Sequence, residues 1–284
     1  MFNEGYLQSY LDTAIERHRI YKHKEAGDPK PWSSDPVYQR FFFCNLFRQY
    51  DKCTDWIIQN VLWYERWDLI ILYRFISTYE LFEEIKQTCA LDDLKSIEAF
   101  LASKRALGHS MFNGCFLRNP RVDGGWVKTY QVPFITIEAI RKDESSLQKI
   151  LETGGLQELC EFLKNYPGIG GFMAYEYACD LEYSEMFYPR DKYTWANMGP
   201  GARRGISLLL HGVPGVKVKE SEWLESAREL WKILKERVNK VFPGEEDVSM
   251  REVEHWLCEF QKYSKYRGVL SHGHRVKFRT YGGL

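Results

Sequence analysis

The chain has 284 residues, with 39 Lys plus Arg balanced by 39 Asp plus Glu, so its formal net charge is zero. Proteins that coat DNA without sequence preference are normally basic, and this balance argues against that class. The 7 cysteines are scattered and never form CxxC, which excludes the common zinc and iron–sulfur patterns. No signal peptide opens the sequence, and we expect a cytoplasmic protein with reduced thiols, no metal and no other cofactor.

Apolar residues at helical spacing run through most of the chain. Helices are predicted for 5–24, 36–88, 91–106 and much of the region after 144. Three prolines in GDPKPWSSDP (27–36) interrupt the pattern, and VKTYQVPFITI (127–137) is compatible with a short strand or an extended loop. The most apolar run, WIIQNVLWYERWDLIILYRFIS (56–77), carries four charged residues, so it is predicted to be buried in the protein and not in a membrane.

These patterns predict a mostly α-helical fold, possibly with two lobes, and at most a short β element near 126–137. We expect one helical domain with an N-terminal lobe (1–150), a helix-hairpin-helix core (151–215) and C-terminal helices with a basic tail (216–284). From Phe260 to Leu284 there is no Asp or Glu, so the tail is either simply solvated or in contact with phosphates. The basic residues of the tail are Lys262, Lys265, Arg267, Arg275, Lys277 and Arg279.

A glycine-rich break separates two helical patterns in NYPGIGGFMAYEYACDL (165–181), at Gly168, Ile169, Gly170 and Gly171. One interpretation is an ordinary turn between two core helices. The other is a helix-hairpin-helix, in which the glycines let the backbone approach DNA and the second helix offers its first N–H groups to a phosphate.

The residues after the break resemble those of helix-hairpin-helix DNA glycosylases, which carry L-P-G-[IV]-G and a catalytic Asp a little over twenty residues beyond the first glycine. Asp191 lies 23 residues after Gly168. The resemblance implies a glycosylase-like helical fold in which Asp191 stabilises a cationic sugar. Asp180 and Glu176 are the other catalytic candidates, and Asp180 is alternatively a surface carboxylate at the end of its helix or a salt-bridge partner. Phe172 stands where bifunctional members have Lys, so a lyase step is not expected.

A second glycine-rich stretch, GPGARRG (199–205), is similar to a phosphate-binding turn. In that interpretation Arg203 and Arg204 contact the DNA backbone, together with Lys262 of the basic tail. The alternative is a loop that joins two core helices and leaves both arginines exposed.

The N-terminal block RHRIYKHKEAGDPKPWSSDPVYQRFFFCNLFRQYDKCTDWI (17–57) resembles a phage-associated family. Its members are α-glutamyl/putrescinyl-thymine pyrophosphorylase-like proteins and the helical domain attached to 5-hydroxymethyl-deoxyuridine DNA kinases. The resemblance continues through GIGGFMAYEYACDL, TWANMGPGARRG and EHWLCEFQKY. The family is related to helix-hairpin-helix glycosylases and linked to C5-hypermodified pyrimidines of phage DNA.

Within this block, polar and aromatic residues are predicted to form a base pocket. Trp32 can stack on an extruded base, Asn45 can bind a base edge, and Arg48 and Asp51 are three apart on one predicted helix. The alternative is a buried polar network that fixes the loop onto the helices. The residues assigned to the pocket are Lys24, Glu25, Trp32, Asp35, Asn45, Arg48 and Asp51.

The first functional hypothesis is a monofunctional DNA glycosylase of phage or anti-phage origin. It would flip a C5-hypermodified pyrimidine out of double-stranded DNA and leave an abasic site. The alternatives are a transferase that adds an amine or amino acid to 5-pyrophosphoryloxymethyl-uracil, and a non-catalytic reader of modified DNA. The sequence has no G-x-x-x-x-G-K-[ST] loop, so kinase activity is not expected of this chain. No membrane and no obligate protein partner are expected.

Overall fold

The computed structural model describes residues 1–109, 111–112, 121–122 and 125–272, and it confirms the mostly α-helical prediction. The helices are α1 (Glu4–Glu25), α2 (Pro36–Arg40), α3 (Lys52–Asn60), α4 (Trp67–Ile76), α5 (Tyr79–Thr88), α6 (Leu94–Ala106), α7 (Val132–Arg141), α8 (Glu144–Thr153), α9 (Leu156–Leu163), α10 (Gly171–Leu181), α11 (Pro200–His211), α12 (Glu220–Val241) and α13 (Met250–His272). Short 3₁₀ turns cover Arg48–Tyr50, Leu62–Tyr64 and Thr129–Gln131.

The segment 127–137 is helical from residue 129 to 137, which corrects the option of a strand or extended loop there. A 3₁₀ turn at Thr129–Gln131 leads directly into α7. Pro133 lies in the first turn of α7, where its missing N–H breaks no helical bond. The strands lie just before, as the two-residue antiparallel pair β1 (Arg121–Val122) and β2 (Gly125–Trp126).

The chain divides into two compact units. The split unit combines Met1–Arg48 with Lys192–Leu284, and the continuous unit consists of Gln49–Asp191. These boundaries differ from the predicted division at 150 and 215. Whether the chain behaves as one domain stays a prediction.

The core of the split unit lies among α1, α11, α12 and α13. Trp256 of α13 is fully buried, and its indole N–H donates to the Tyr10 carbonyl of α1 over 3.1 Å. Helices α11 and α13 pack so closely at Gly205 that an added Cβ would lie 2.2 Å from the Leu257 carbonyl oxygen. Glycine at this position therefore allows the backbones to meet.

The core of the continuous unit is built around α4, whose residues Trp67–Ile76 are all buried. This helix contacts α3, α5, α7 and α10, so it needs apolar side chains on every face. The prediction that the most apolar run is buried protein is confirmed here. Among the described helices, none is both long and apolar enough to cross a membrane.

Candidate nucleic-acid interface

The glycine-rich break forms the turn between α9 and α10, as the helical patterns predicted. Gly168 has a φ of +75°, in the left-handed region that favours glycine. Ile169 follows with 7% of its surface exposed, so it packs into the protein. Gly170 is the N-cap residue of α10 and, as a glycine, has no side chain with which to cap it.

The two ends of this turn have different surroundings. A Cβ at Gly168 would lie 2.3 Å from Val132 Cγ1, and the Thr136 hydroxyl donates to the Pro167 carbonyl over 2.6 Å, so α7 holds this end. A Cβ at Gly170 would meet nothing within 4 Å. The hairpin is therefore packed at Gly168 and open at Gly170, and the predicted DNA contact of its backbone stays a prediction.

Asp180 lies near the end of α10 in a buried ion pair. The Arg74 guanidinium of α4 donates through Nε to Asp180 Oδ2 over 2.5 Å and through Nη2 to Oδ1 over 2.9 Å. Arg74 Nη2 also donates to the Thr54 hydroxyl of α3 over 2.7 Å. Both charged side chains are almost fully buried, so the pair ties α10 to α4 and α3. The alternative of a salt-bridge partner describes Asp180 in this structure.

Asp191 binds the start of α9. Its Oδ1 accepts from the Leu156 N–H over 2.6 Å, and its Oδ2 accepts from the Gln157 N–H over 3.1 Å. These are first-turn N–H groups of α9 that have no partner within the helix, so the carboxylate caps it. Glu176 is partly buried on α10. The predicted catalytic roles of Asp180, Asp191 and Glu176 stay predictions.

In the predicted base pocket, two residues hold the N-terminal block in place. Asp35 caps α2, since its Oδ1 accepts from the Val37 N–H over 2.8 Å, and its Oδ2 accepts from the Tyr263 hydroxyl over 2.6 Å. Burial and the Asp35 carboxylate both raise the pKa of Tyr263. The Trp32 indole donates to the Asp28 carbonyl over 2.7 Å. The structure therefore supports the interpretation of a polar network for part of this block.

The remaining pocket residues do not share one surface. Lys24 and Glu25 are exposed in the last turn of α1, whereas Asn45 and Arg48 are buried. Arg48 lies in a 3₁₀ turn and Asp51 is the N-cap residue of α3, so they are not on one helix, which corrects that prediction. Their roles in binding a base stay predictions.

The stretch GPGARRG forms the N-cap and first turns of α11, which corrects the option of a loop there, whereas the predicted contact of Arg203 and Arg204 with the DNA backbone stays a prediction. Arg203 and Arg204 are exposed, and their Nε atoms donate to the Met198 carbonyl and to Gln261 Oε1. Gly201 and Gly205 face α13, because a Cβ at either would meet residues of that helix within 2.4 Å. The glycines therefore serve helix packing.

Lys262 lies on α13 above the Phe43 ring, 4.8 Å from its centroid, and binds Glu259 over 3.1 Å. Burial lowers the pKa of Lys262, but the Glu259 carboxylate outweighs it and the pKa lies above its usual value. Its predicted phosphate contact stays a prediction. Arg275, Lys277 and Arg279 of the basic tail lie outside the described residues.

The similarity to known proteins extends over nearly the whole chain. Residues 4–270 match the family model described as "5-hmdU DNA kinase, helical domain". This chain belongs to the family of 5-hmdU DNA kinase helical domains. It is 26% identical over 287 residues to the 5-hmdU DNA kinase of Bacillus phage SP10, which covers 90% of this chain and 44% of the phage protein. The chain thus spans less than half the length of that relative. No solved structure matches it significantly.

Membership of the 5-hmdU DNA kinase helical-domain family corrects the predicted activity. The prediction of a monofunctional glycosylase is wrong, because the family model and the phage relative both point to a kinase, which is a transferase. The associated predictions of a hydrolase and of anti-phage defence fall with it. The relation to helix-hairpin-helix glycosylases stays a prediction. The predicted transferase is closer to this family, although it is not a kinase.

Sequence reasoning missed the partners of several residues in this family member. Arg74 is one of four charged residues within an apolar run, and a charge buried in such a run indicates a carboxylate partner. No signal in the sequence indicates that Tyr263 binds Asp35 or that Asp191 caps α9, because the partners are far apart along the chain. The expected cytoplasmic location and lack of an obligate protein partner stay predictions.

Proposed function

We propose that this chain is the DNA-binding helical part of a transferase system that modifies 5-hydroxymethyl-deoxyuridine in double-stranded DNA. The observation that carries the proposal is the match of residues 4–270 to the helical domain of 5-hmdU DNA kinases. In such a system this part holds the duplex and presents the 5-hydroxymethyl group. The oxygen of that group is the acceptor in a phosphoryl transfer.

The hairpin between α9 and α10 supports a contact with DNA. The first turn of α10 carries the positive end of the helix dipole, and Gly170 leaves open space in front of it. A DNA phosphate suits such a helix start. Phe172, with 50% of its surface exposed, lies in the same turn and offers an aromatic ring to the neighbouring sugar or base.

The transfer of an amine or amino acid to 5-pyrophosphoryloxymethyl-uracil stays the alternative within the same class of enzyme. It would use the same DNA and the same C5 substituent after phosphorylation. Mass spectrometry of digested DNA separates the two reactions. Phosphorylation adds a phosphoryl group to the hydroxymethyl group, whereas the alternative replaces a pyrophosphate by the amine.

The variant Gly170→Asp tests the proposed contact. An aspartate at an N-cap accepts from first-turn N–H groups, so the fold keeps or gains stability. The same carboxylate repels a phosphate at this position. In fluorescence-anisotropy titrations at low salt, we expect wild type to bind a duplex that contains 5-hmdU, and Gly170→Asp to bind it about tenfold more weakly.

The matched control is Gly170→Ala, because a Cβ fits there and adds no charge. It should bind like wild type. A thymine duplex of the same sequence measures the preference for the modified base. Wild-type protein that binds neither duplex would refute the proposed function. Equal binding by Gly170→Asp and Gly170→Ala would remove the hairpin from the DNA contact.

A further inference from the structure

One side of α12 in the split unit carries a row of cations with aromatic rings between them. Arg228, Lys232 and Lys235 are spaced four and three residues apart, so they lie along one side of the helix. Lys192 and Tyr193 lie against the same side, next to Trp231. We name this surface the basic-aromatic stripe; its members are Lys192, Tyr193, Arg228, Trp231, Lys232 and Lys235.

The rings of the stripe contact Lys192 and Lys235, two of its four cations. The Lys235 ammonium lies 5.4 Å from the Trp231 ring centroid and 5.5 Å from that of Tyr193. The Lys192 ammonium lies 5.8 Å from the Tyr193 centroid. The Trp231 indole is itself anchored, since it donates to the Val248 carbonyl over 2.7 Å. Cation–π contacts of this kind stabilise the two lysine ammonium groups beside the rings.

The stripe gathers four cations on a chain whose net charge is zero. Asp247 binds Lys235 over 2.6 Å and accepts from the Tyr193 hydroxyl over 2.5 Å. Arg228 donates through Nε to the Thr194 carbonyl. The glutamates of α12 at positions 225, 229 and 236 flank the row. They are displaced from Arg228 by about 60–100° around the helix axis, and those at 229 and 236 lie three and four residues from Lys232.

We propose that the basic-aromatic stripe binds the phosphate backbone of a DNA duplex, as a second contact in addition to the hairpin. This inference rests on the proposed function and adds a second DNA-binding surface to it. From Arg228 to Lys235 the helix advances about 10 Å. One DNA strand presents a phosphate about every 3.4 Å of helix axis, so the stripe can span about three phosphates. Tyr193, 39% exposed, offers apolar surface to the sugars between them.

The salt dependence of binding tests this contact. The slope of log affinity against log salt is negative, and each phosphate contact that is lost reduces its magnitude by about 0.9. We expect Arg228→Gln/Lys232→Gln to reduce this magnitude by about 1–2 and to weaken binding by about 5- to 30-fold at low salt. The loss of affinity should be equal for 5-hmdU and thymine duplexes, because backbone contacts carry no base preference. The single variant Lys232→Gln should reduce the magnitude of the slope by about 0.9.

The matched control is Lys240→Gln, also exposed on α12 but about 120° around the axis from Arg228. It should leave both slope and affinity unchanged. Thermal melting checks that the variants fold, and Lys232→Gln keeps the test valid if the double variant is destabilised. Wild-type binding with an unchanged slope in Lys232→Gln and in the double variant would refute the stripe and leave the proposed function standing. A wild type that binds no DNA would refute both.

Discussion

The carboxylate of Asp180 forms a bidentate ion pair with the Arg74 guanidinium, which also donates to the Thr54 hydroxyl. Desolvation of two charges is costly, and only good geometry offsets the cost. Removing Asp180 alone destabilises the protein strongly, because the buried Arg74 guanidinium then loses the carboxylate that offsets its desolvation. At the scale of the residue, Asp180 therefore matters to stability through Arg74.

We predict that Asp180→Asn destabilises the protein by about 3–5 kcal/mol. Urea denaturation followed by circular dichroism measures the loss. The control is Glu158→Gln, which breaks the exposed pair of Glu158 with Arg190 in the same unit and should cost less than about 1 kcal/mol. If Asp180→Asn left the unfolding midpoint unchanged, the buried pair would not have the structural role assigned to it.

The hairpin between α9 and α10 shows how one turn divides its glycines between two tasks. Gly168 must be glycine because of its positive φ and because α7 leaves no room for a side chain. Gly170 has ordinary extended backbone and open space, so the fold alone does not require glycine there. At the scale of the element, stability depends on the first glycine, whereas the proposed DNA contact lies at the open side of the turn by the second, where a Cβ still fits.

We predict that Gly168→Ala lowers the free energy of unfolding by about 1–3 kcal/mol, through backbone strain and the contact with Val132. Gly170→Ala is the matched substitution two residues away and should change stability by less than about 0.5 kcal/mol. Thermal and urea unfolding of both variants gives the comparison. Equal stability of the two variants would mean that the turn relaxes to accept the new side chain.

Local sequence patterns predicted the helices well where packing agrees with them. The break at 167–171 and the flanking α9 and α10 follow from glycine, proline and helical periodicity. The start of α11 does not, because Gly201 and Gly205 are loop signals in sequence and become contacts with α13 in the fold. Tertiary packing overrides local propensity at such positions.

The candidate site was harder to predict, because a pattern gives a residue type and spacing but not a partner. Asp191 fits the spacing of a catalytic aspartate, yet its oxygens bind N–H groups 34 and 35 residues earlier in the chain. A helix-hairpin-helix turn occurs in proteins of several activities, so it cannot specify a bond to be cut. The comparison over residues 4–270 confirms the family that the motifs of the N-terminal block predicted, whereas the spacing from Gly168 to Asp191 led to the wrong activity.

At the scale of the whole molecule, the two units differ in how the chain builds them. The continuous unit, Gln49–Asp191, uses one segment, with α4 as its buried centre. The split unit needs both ends of the chain, because α1 from the first segment packs against α11 and α13 from the second. A unit made from one segment with its own core can fold alone, whereas half of a split core leaves apolar surface exposed.

We therefore predict that a fragment of residues 49–191 is helical by circular dichroism and unfolds cooperatively with temperature. A fragment of 192–284 lacks the α1 surface that covers Trp256, so it should have less helix than the same residues in the full chain and no cooperative transition. Addition of a peptide of residues 1–48 should restore part of that helix. A cooperative transition in the fragment 192–284 alone, or none in 49–191, would contradict this division, since each result would place the cooperative core in a different stretch of chain.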